Sequence, residues 1–360
     1  MVDLSSLNLF RIPDMIKLGF ASRYVKKDLK PYIDNKNIEF AGESVNHETS
    51  LVAALKIMRA FYSSLPITVR TFREDTFDQY IKFIAHSVYV SDLINEAVEH
   101  FKLDPKYDSI ESILKQINNV QVKENEDIKY TKMSKLCEGH FNEASNLREC
   151  LEIDEEDYLN KIKHGLEYSR DEREFSKRFN EKDFEYVKEK LDIWDDTEEL
   201  EKLTESRVGF IFSYCVDTFY ELFVDNRYNR EDLSNWASNI SNASQEGIDD
   251  TYDLINDIKE LKPTPLVINI LNIYIASDSR KMTPEIIREG LEQTRDEIND
   301  YLRNARIDKL PGMMKYITEY SNSVINDTFT KMIGSNLNLE CDVFNKKTRY
   351  LELYDYVNEK

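Results

Sequence analysis

Apolar residues recur at helical spacing along most of the chain. Residues 47–65 place Leu51, Leu55 and Met58 three or four positions apart, and residues 74–101 repeat that spacing. Such a period puts one apolar stripe on a helix face. Further helices are predicted at 107–120, 206–227, 230–244, 247–265 (ended by its two prolines), 283–306 and 311–334. With only 9 Gly and 8 Pro in 360 residues, the sequence predicts a mainly α fold with a multi-helix, bundle-like body.

Three stretches depart from this pattern. The first forty residues contain Pro13 and Pro31, end near Gly42, and are expected to be irregular. Residues 66–72 alternate apolar and polar side chains and predict one short strand. The third stretch, residues 121–206, is rich in alternating charges with a narrow apolar stripe, which predicts a charged helical arm.

The C-terminal stretch predicts a small β-hairpin over residues 337–360. Leu339, Cys341 and Val343 alternate onto one face, and Tyr350 and Leu353 lie on the returning strand. Two strands alone are marginally stable, so these five residues are expected to pair with another strand or another subunit. The predicted regions are therefore 1–120 (helical, slightly basic), 121–206 (charged arm), 207–336 (helical, with an aromatic central helix) and 337–360 (hairpin).

Charge narrows the choice of partner and location. The chain carries −20 overall, yet residues 1–73 carry +4, which leaves −24 for the rest. An acidic body repels phosphate backbones, so general nucleic-acid binding is not expected. The basic stretch 22–32 is expected to be a solvated helix face, with an anionic partner as the alternative. Four dispersed cysteines, no signal-peptide pattern and no apolar run of membrane-spanning length predict a cytoplasmic protein, in its own cell or in a host.

An aspartate motif in 247–265 is the strongest candidate for chemistry. Asp249, Asp250 and Asp253 stand at i, i+1 and i+4; residues four apart share a helix face, and Mg²⁺ prefers oxygen ligands. The triplet resembles the DDxxD motif of class I terpene synthases and related prenyl-diphosphate enzymes. The resemblance implies that these carboxylates hold Mg²⁺ against a substrate diphosphate.

The same family carries a second metal motif, N/D-D-x-x-S/T-x-x-x-E. Asn326, Asp327 and Thr330 match its first ligands, but Gly334 stands where the glutamate belongs. The separation of the two motifs is also shorter than in the family. A simpler interpretation is a capped surface helix whose first-turn acids face the positive end of the helix dipole, and this interpretation is preferred, with Mg²⁺ as the alternative cofactor and none as the main expectation.

Other chemical patterns are weaker. Asp217, Glu221 and Asp225 follow one side of the aromatic helix and are expected to pair with nearby arginines. The five histidines, at 47, 86, 100, 140 and 164, show no zinc-ligand spacing. Glycine-rich phosphate loops and the common hydrolase and metalloprotease motifs are absent from the sequence.

Three functional hypotheses follow from these patterns. The main one is a non-enzymatic structural or protein-interaction protein that assembles through helical faces and its hairpin, with itself or with a protein partner. Its Asn-, Lys-, Ile- and Tyr-rich usage is compatible with a phage or viral origin. The alternatives are the Mg²⁺-dependent prenyl-diphosphate enzyme and an acidic inhibitor that mimics nucleic acid, in which the exposed row is Glu152, Asp154, Glu155, Glu156 and Asp157.

Overall fold

The computed structural model describes most of the predicted helices. It covers residues 12–42, 49–65, 70, 72–101, 127–163, 210–223, 230–244, 247–248, 250–260, 264–277, 283–304 and 312–334. Within these ranges the chain is almost wholly helical and no residue lies in a β-strand. The prediction of a mainly α fold is therefore confirmed.

The described helices are named here in chain order. In the N-terminal half they are α1 (Ile12–Tyr24), a π-helical segment (Val25–Leu29), α2 (Lys30–Ala41), α3 (Thr49–Ser64), α4 (Glu74–Phe101) and α5 (Asp127–Cys150). In the C-terminal half they are α6 (Phe210–Phe223), α7 (Arg230–Ser244), α8 (Asp250–Glu260), α9 (Pro265–Ala276), α10 (Pro284–Asn304) and α11 (Gly312–Gly334). Residues 155–163 are helical as well.

The chain divides into two compact units. Unit 1 consists of Met1–Glu167, Ile211–Ser234 and Pro311–Tyr316, and unit 2 of Tyr168–Phe210, Asn235–Leu310 and Ile317–Lys360. The described part of the predicted charged arm, residues 127–163, falls in unit 1. The predicted region boundaries near 121 and 206 stay predictions, because both positions lie outside the described residues.

The N-terminal prediction was wrong, because residues 12–41 form one helical run. Its buried positions fall at every fourth residue: Ala21, Val25, Leu29, Ile33 and Asn37. In a regular α-helix a four-residue repeat drifts around the axis by about 40° per step. The wider π turn at Val25–Leu29 offsets part of this drift, and Gly42 ends the run in a left-handed conformation (φ 73°), donating its N–H to the Ile38 carbonyl at 2.8 Å.

Unit 1 has an aromatic core built by α3, α4 and α6. Tyr62 stacks on Phe77 with 4.0 Å between ring centroids, and Phe77 meets Phe223 edge-on. Tyr80 donates its hydroxyl to the Cys215 carbonyl at 2.6 Å, which ties α4 to α6. The aromatic helix α6 buries Phe212, Tyr214, Phe219, Tyr220 and Phe223.

Unit 2 has an aliphatic core centred on α9 and α10. Thr264 caps α9 by accepting the Val267 N–H, and residues 264–271 are buried without interruption. A helix that is apolar all round lies inside a protein. The helix α10 can approach closely because Gly290 faces Ile270, where a Cβ would come within 2.4 Å of the Ile270 side chain.

The two predictions of β structure have different outcomes. The short strand at 66–72 is not supported where it can be examined, because Arg70 and Phe72 are both helical. The hairpin at 337–360, with Leu339, Cys341 and Val343 on one strand and Tyr350 and Leu353 on the other, lies outside the described residues and stays a prediction. Across the described ranges, no helix has the length and apolar character needed to cross a membrane.

Candidate functional site

The aspartates of the predicted metal site lie in different environments. Asp250 opens α8 and is only 2% exposed, whereas Asp253, one turn later, is exposed to solvent. Asp249 is outside the described residues. The two described carboxylates therefore do not present a shared solvent-facing surface to a metal ion.

The second predicted motif, on α11, is engaged in hydrogen bonds. Asn326 exchanges side-chain amide bonds with Asn299 of α10 at 2.9 and 3.1 Å. Asp327 pairs with Lys331 one turn away, and the Thr330 hydroxyl donates to the Asn326 carbonyl at 2.7 Å. Each of the three side chains thus has a structural partner within unit 2.

The structure nevertheless brings the two motifs near each other. Gly247, just before α8, lies so close to α11 that a Cβ there would be 2.5 Å from the Ile325 side chain. Ile325 directly precedes Asn326. Among the described side chains, however, no three His, Cys, Asp or Glu residues gather as a ligand set. The residues that can be placed do not fit Mg²⁺ well, and the site stays a prediction because Asp249 is not described.

An exposed face of the helical run 12–41 combines apolar and basic side chains. Ile16 is 52% exposed and Phe20 is 65% exposed. Arg23 and Lys27 continue the same face at helical spacing and are also exposed. These four residues, called the N-terminal face below, lie on the side of the run opposite its buried stripe.

A second basic element lies beside this face. Burial, and after it the charge of Lys26, lowers the pKa of Lys56 on α3. The ammonium groups of the π segment and of α3 are therefore close enough to repel each other, and an anionic group placed between them would relieve that repulsion.

Unit 1 also carries an acidic corner, which is the mostly exposed stretch of residues 152–157 after α5. After α5 the chain turns at Glu152, which has a positive φ of 57°, and the Asp154 carboxylate accepts the Asp157 N–H at 2.7 Å to start the next helix. The row proposed from the sequence is exposed throughout: Glu152, Asp154, Glu155, Glu156 and Asp157. Arg148 neutralises part of it through Glu155, at 3.0 Å.

The most unusual polar group of unit 1 is a buried pair of histidines. His86 of α4 and His140 of α5 are both 0% exposed, and their Nδ1 atoms are 2.6 Å apart. On the far sides, His140 Nε2 lies 2.8 Å from Asn37 Oδ1 and His86 Nε2 lies 3.2 Å from the Tyr32 hydroxyl. Tyr89 stacks on His140 with ring planes 11° apart. We call Tyr32, His86, His140 and Asn37 the histidine chain.

The proton positions of the histidine chain follow from the orientation of the Asn37 amide, whose Nδ2 is buried without a hydrogen-bond partner. With Oδ1 facing His140, that oxygen accepts, so His140 carries its hydrogen on Nε2 and, being neutral, accepts at Nδ1. His86 must then donate from Nδ1, and its Nε2 accepts the Tyr32 hydroxyl. The four groups form one unidirectional chain of hydrogen bonds, in which each ring nitrogen is used once.

The surroundings of the pair favour neutral imidazoles. Burial first, and then the charges of His140 and Lys36, lower the pKa of His86 to about 3. Burial, followed by the charge of Lys36, lowers the pKa of His140 to about 4. Lys36 itself is held by Glu143 of α5 at 2.8 Å. The cluster therefore excludes positive charge at neutral pH.

No local pattern in the sequence indicates that these two histidines meet. His86 is three residues after Phe83 and four before Val90, and His140 is four before Ala144, so helical spacing alone could have indicated that each is buried. Their pairing joins positions 54 apart, and Asn37 is another 49 residues upstream of His86. Only the packing of α2, α4 and α5 brings them together.

The cysteines offer no activated nucleophile among those described. Burial raises the pKa of Cys137 and of Cys215 to about 12, which keeps both as thiols. Cys150 is exposed at the end of α5. Glu221 is exposed, and the Asp217 carboxylate accepts the Ser234 hydroxyl at 3.4 Å rather than joining a catalytic group.

The chain was compared with protein-family models, with curated proteins and with solved structures, and none of the three comparisons finds a match.

Proposed function

We propose that this protein is a non-enzymatic structural protein that assembles with copies of itself, the N-terminal face of one copy docking on the acidic corner of another. The observation that carries the proposal is the exposure of Ile16 and Phe20 beside Arg23 and Lys27, opposite the stripe that holds this run in unit 1. Exposed apolar side chains rimmed by charge mark protein contacts.

Charge complementarity favours the acidic corner of a second copy as the surface that binds the N-terminal face. The region 1–73 carries +4 while the rest of the chain carries −24. The exposed row at 152–157 offers carboxylates on a short, well-capped corner. Because salt screens charges beyond roughly 8 Å at physiological ionic strength, the two local surfaces can attract although both copies are acidic overall.

The contact is heterologous, because two different surfaces meet. Such head-to-tail contacts build rings or open chains rather than closed two-fold dimers. An assembling structural role fits this geometry and needs no cofactor.

A charge-swap experiment tests the proposal on the full chain. We expect light scattering to show a mass that rises with concentration, and Arg23→Glu/Lys27→Glu to reduce self-association at least tenfold by weakening complementarity. Glu152→Lys/Glu156→Lys should do the same, and an equimolar mixture of the two variants should assemble again. Phe20→Ser should weaken assembly, while Phe72→Ser, which changes another exposed aromatic residue, should not.

Several outcomes would contradict the proposal. A strictly monomeric wild-type chain would overturn it, as would assembly that both charge reversals leave unchanged. If the wild-type chain does not self-associate but binds vesicles that contain phosphatidylserine, or duplex DNA, through the N-terminal face, the partner of that face is an anionic surface and not a second copy.

A further inference from the structure

We propose that the histidine chain is a proton-binding site that holds α2 on α4 and α5 while both imidazoles are neutral, and that lets α2 open from them increasingly often as the pH falls below about 6.5. This inference concerns the interior of unit 1 and does not depend on self-assembly. It assigns the ligand as the proton itself.

The position of the chain makes it a junction between three helices. Asn37 and Tyr32 belong to α2, His86 to α4 and His140 to α5. Asn37 is 1% exposed and both histidines are 0% exposed. Phe40 of α2 packs edge-on against His140, with 5.5 Å between centroids, so the imidazoles also provide the apolar surface on which α2 rests.

The geometry admits one extra proton but not two. If the Tyr32 hydroxyl turns, His86 Nε2 can take a proton, and the cation then donates to the Tyr32 oxygen and to His140 Nδ1. A second proton has no free nitrogen except His140 Nδ1, which lies 2.6 Å from the protonated Nδ1 of His86. Two N–H groups cannot face each other at that distance without an acceptor, so the rings and their helices must separate.

The charged groups around the chain oppose protonation as well. From α2, Lys36 faces the pair and is itself bound to Glu39 and Glu143. From α4, Lys82 lies 4.7 Å from the Tyr32 ring centroid, and its charge lowers the pKa of His86. The carboxylate that α5 contributes, Glu143, is bound to Lys36. The charges of Lys36 and Lys82 both lower the pKa of His86 and so act in the same direction as burial.

The direction of the pH dependence follows from the two states. In the unfolded or opened chain each histidine titrates near about pH 6.5, whereas in the closed unit its pKa lies well below that value. Between these values the open state binds more protons, so closure is favoured at pH 7 and weakens as the pH falls. Two protons change the opening constant by up to about 100-fold per pH unit.

Amide hydrogen exchange on the full chain measures this opening. With intrinsic exchange rates corrected for pH, the opening constant of amides in α2, α4 and α5 should rise roughly 10²–10³-fold from pH 7.5 to pH 5. His140→Gln should reduce this rise to about 30-fold, since one titrating group remains. The helices α9 and α10 are the internal control, because all five histidines of the sequence lie in unit 1.

A second measurement needs no variant and covers the case in which His140→Gln fails to fold. Nitrogen NMR of the wild-type rings at pH 7 should show His86 protonated at Nδ1 and His140 at Nε2, both neutral down to pH 5.5. A ring that titrates at its ordinary pKa in the folded protein would overturn the proposal. An equal rise of opening in α9 and α10 would do the same, because it would attribute the acid response to carboxylates.

Discussion

The two units bury different kinds of side chains. Unit 1 is centred on rings, with Tyr62, Phe77 and Tyr80 at its core, and it also buries the imidazoles of His86 and His140. Unit 2 is centred on aliphatic residues of α9 and α10. Its buried polar contacts include amide and hydroxyl pairs, such as Asn269 to Thr294 at 2.9 Å, and the carboxylates of Asp250 and Asp257 are buried there as well.

This difference predicts how each unit responds to acid and to changes in side-chain volume. Amides and hydroxyls keep the same charge at every physiological pH, whereas imidazoles change theirs near neutrality. Rings also interact through preferred geometries, while aliphatic side chains depend mainly on complementary shape. Unit 1 should therefore be sensitive to acid, and unit 2 to changes in volume.

The largest expected effect on stability comes from truncating one large buried side chain in either core. Phe77→Ala removes the ring on which Tyr62 stacks, and Leu291→Ala removes a fully buried side chain of α10. Each should lower the free energy of unfolding by about 2–5 kcal/mol. Hydrogen exchange should show lost protection in α3, α4 and α6 for the first variant and in α9 and α10 for the second; equal loss everywhere would mean that the two cores unfold as one.

A smaller effect is expected from adding one methyl group. In Gly290→Ala the new Cβ would lie 2.4 Å from Ile270 Cγ1 and 3.1 Å from its Cα, and the backbone cannot move aside. We expect a loss of about 1–3 kcal/mol, in spite of the better helix propensity of alanine. Urea denaturation measures it.

Two other glycine-to-alanine changes, one in each unit, serve as controls for Gly290→Ala. In Gly139→Ala the three atoms nearest the new Cβ all belong to the ring of Phe40, a half-buried side chain, and none to the backbone, so its cost should be lower. Gly334→Ala has open space around it and should not destabilise the protein. A greater loss for Gly139→Ala than for Gly290→Ala would contradict the distinction between a movable ring and a fixed backbone.

The smallest effect is expected from single buried hydrogen bonds. Tyr80→Phe removes the bond to the Cys215 carbonyl in unit 1, and Thr318→Val removes the acceptor of the Trp236 indole N–H in unit 2, at 2.8 Å. Each should cost about 1 kcal/mol, seen as a small decrease in the urea midpoint with an unchanged slope. A cost near that of Phe77→Ala would show that the hydroxyl, not the ring packing, holds α4 to α6.

Helices with clear local signals could be predicted from the sequence. Residues 74–101 and 230–244 begin and end where predicted, and α10 begins at Pro284, with Thr283 Oγ1 accepting the Ile286 N–H. These segments carry their own caps and a regular apolar stripe, so local physics decides them.

The errors arose where tertiary contacts decide the structure. Pro31 suggested a break, but it directly follows the π segment, where the Lys30 N–H bonds to the Val25 carbonyl five residues back. The wider turn leaves room for a ring without an N–H. The helix α9 was overlooked because a stretch that is apolar except for Asn269 and Asn272 shows no clear helical period. The histidine chain was missed because its members are far apart in sequence.

The π segment also shows where the helical run tolerates a change in length. A π turn amounts to one extra residue in an α-helix, and the wider turn absorbs that residue. Deleting one residue within Val25–Leu29 would therefore leave an unbroken α-helix in which Ile16 and Phe20 keep nearly their present direction relative to Asn37. The same deletion in a regular α-helical part of the run would turn everything before it by about 100°, so the direction of the outer surface is insensitive to the loss of a residue only at the π turn.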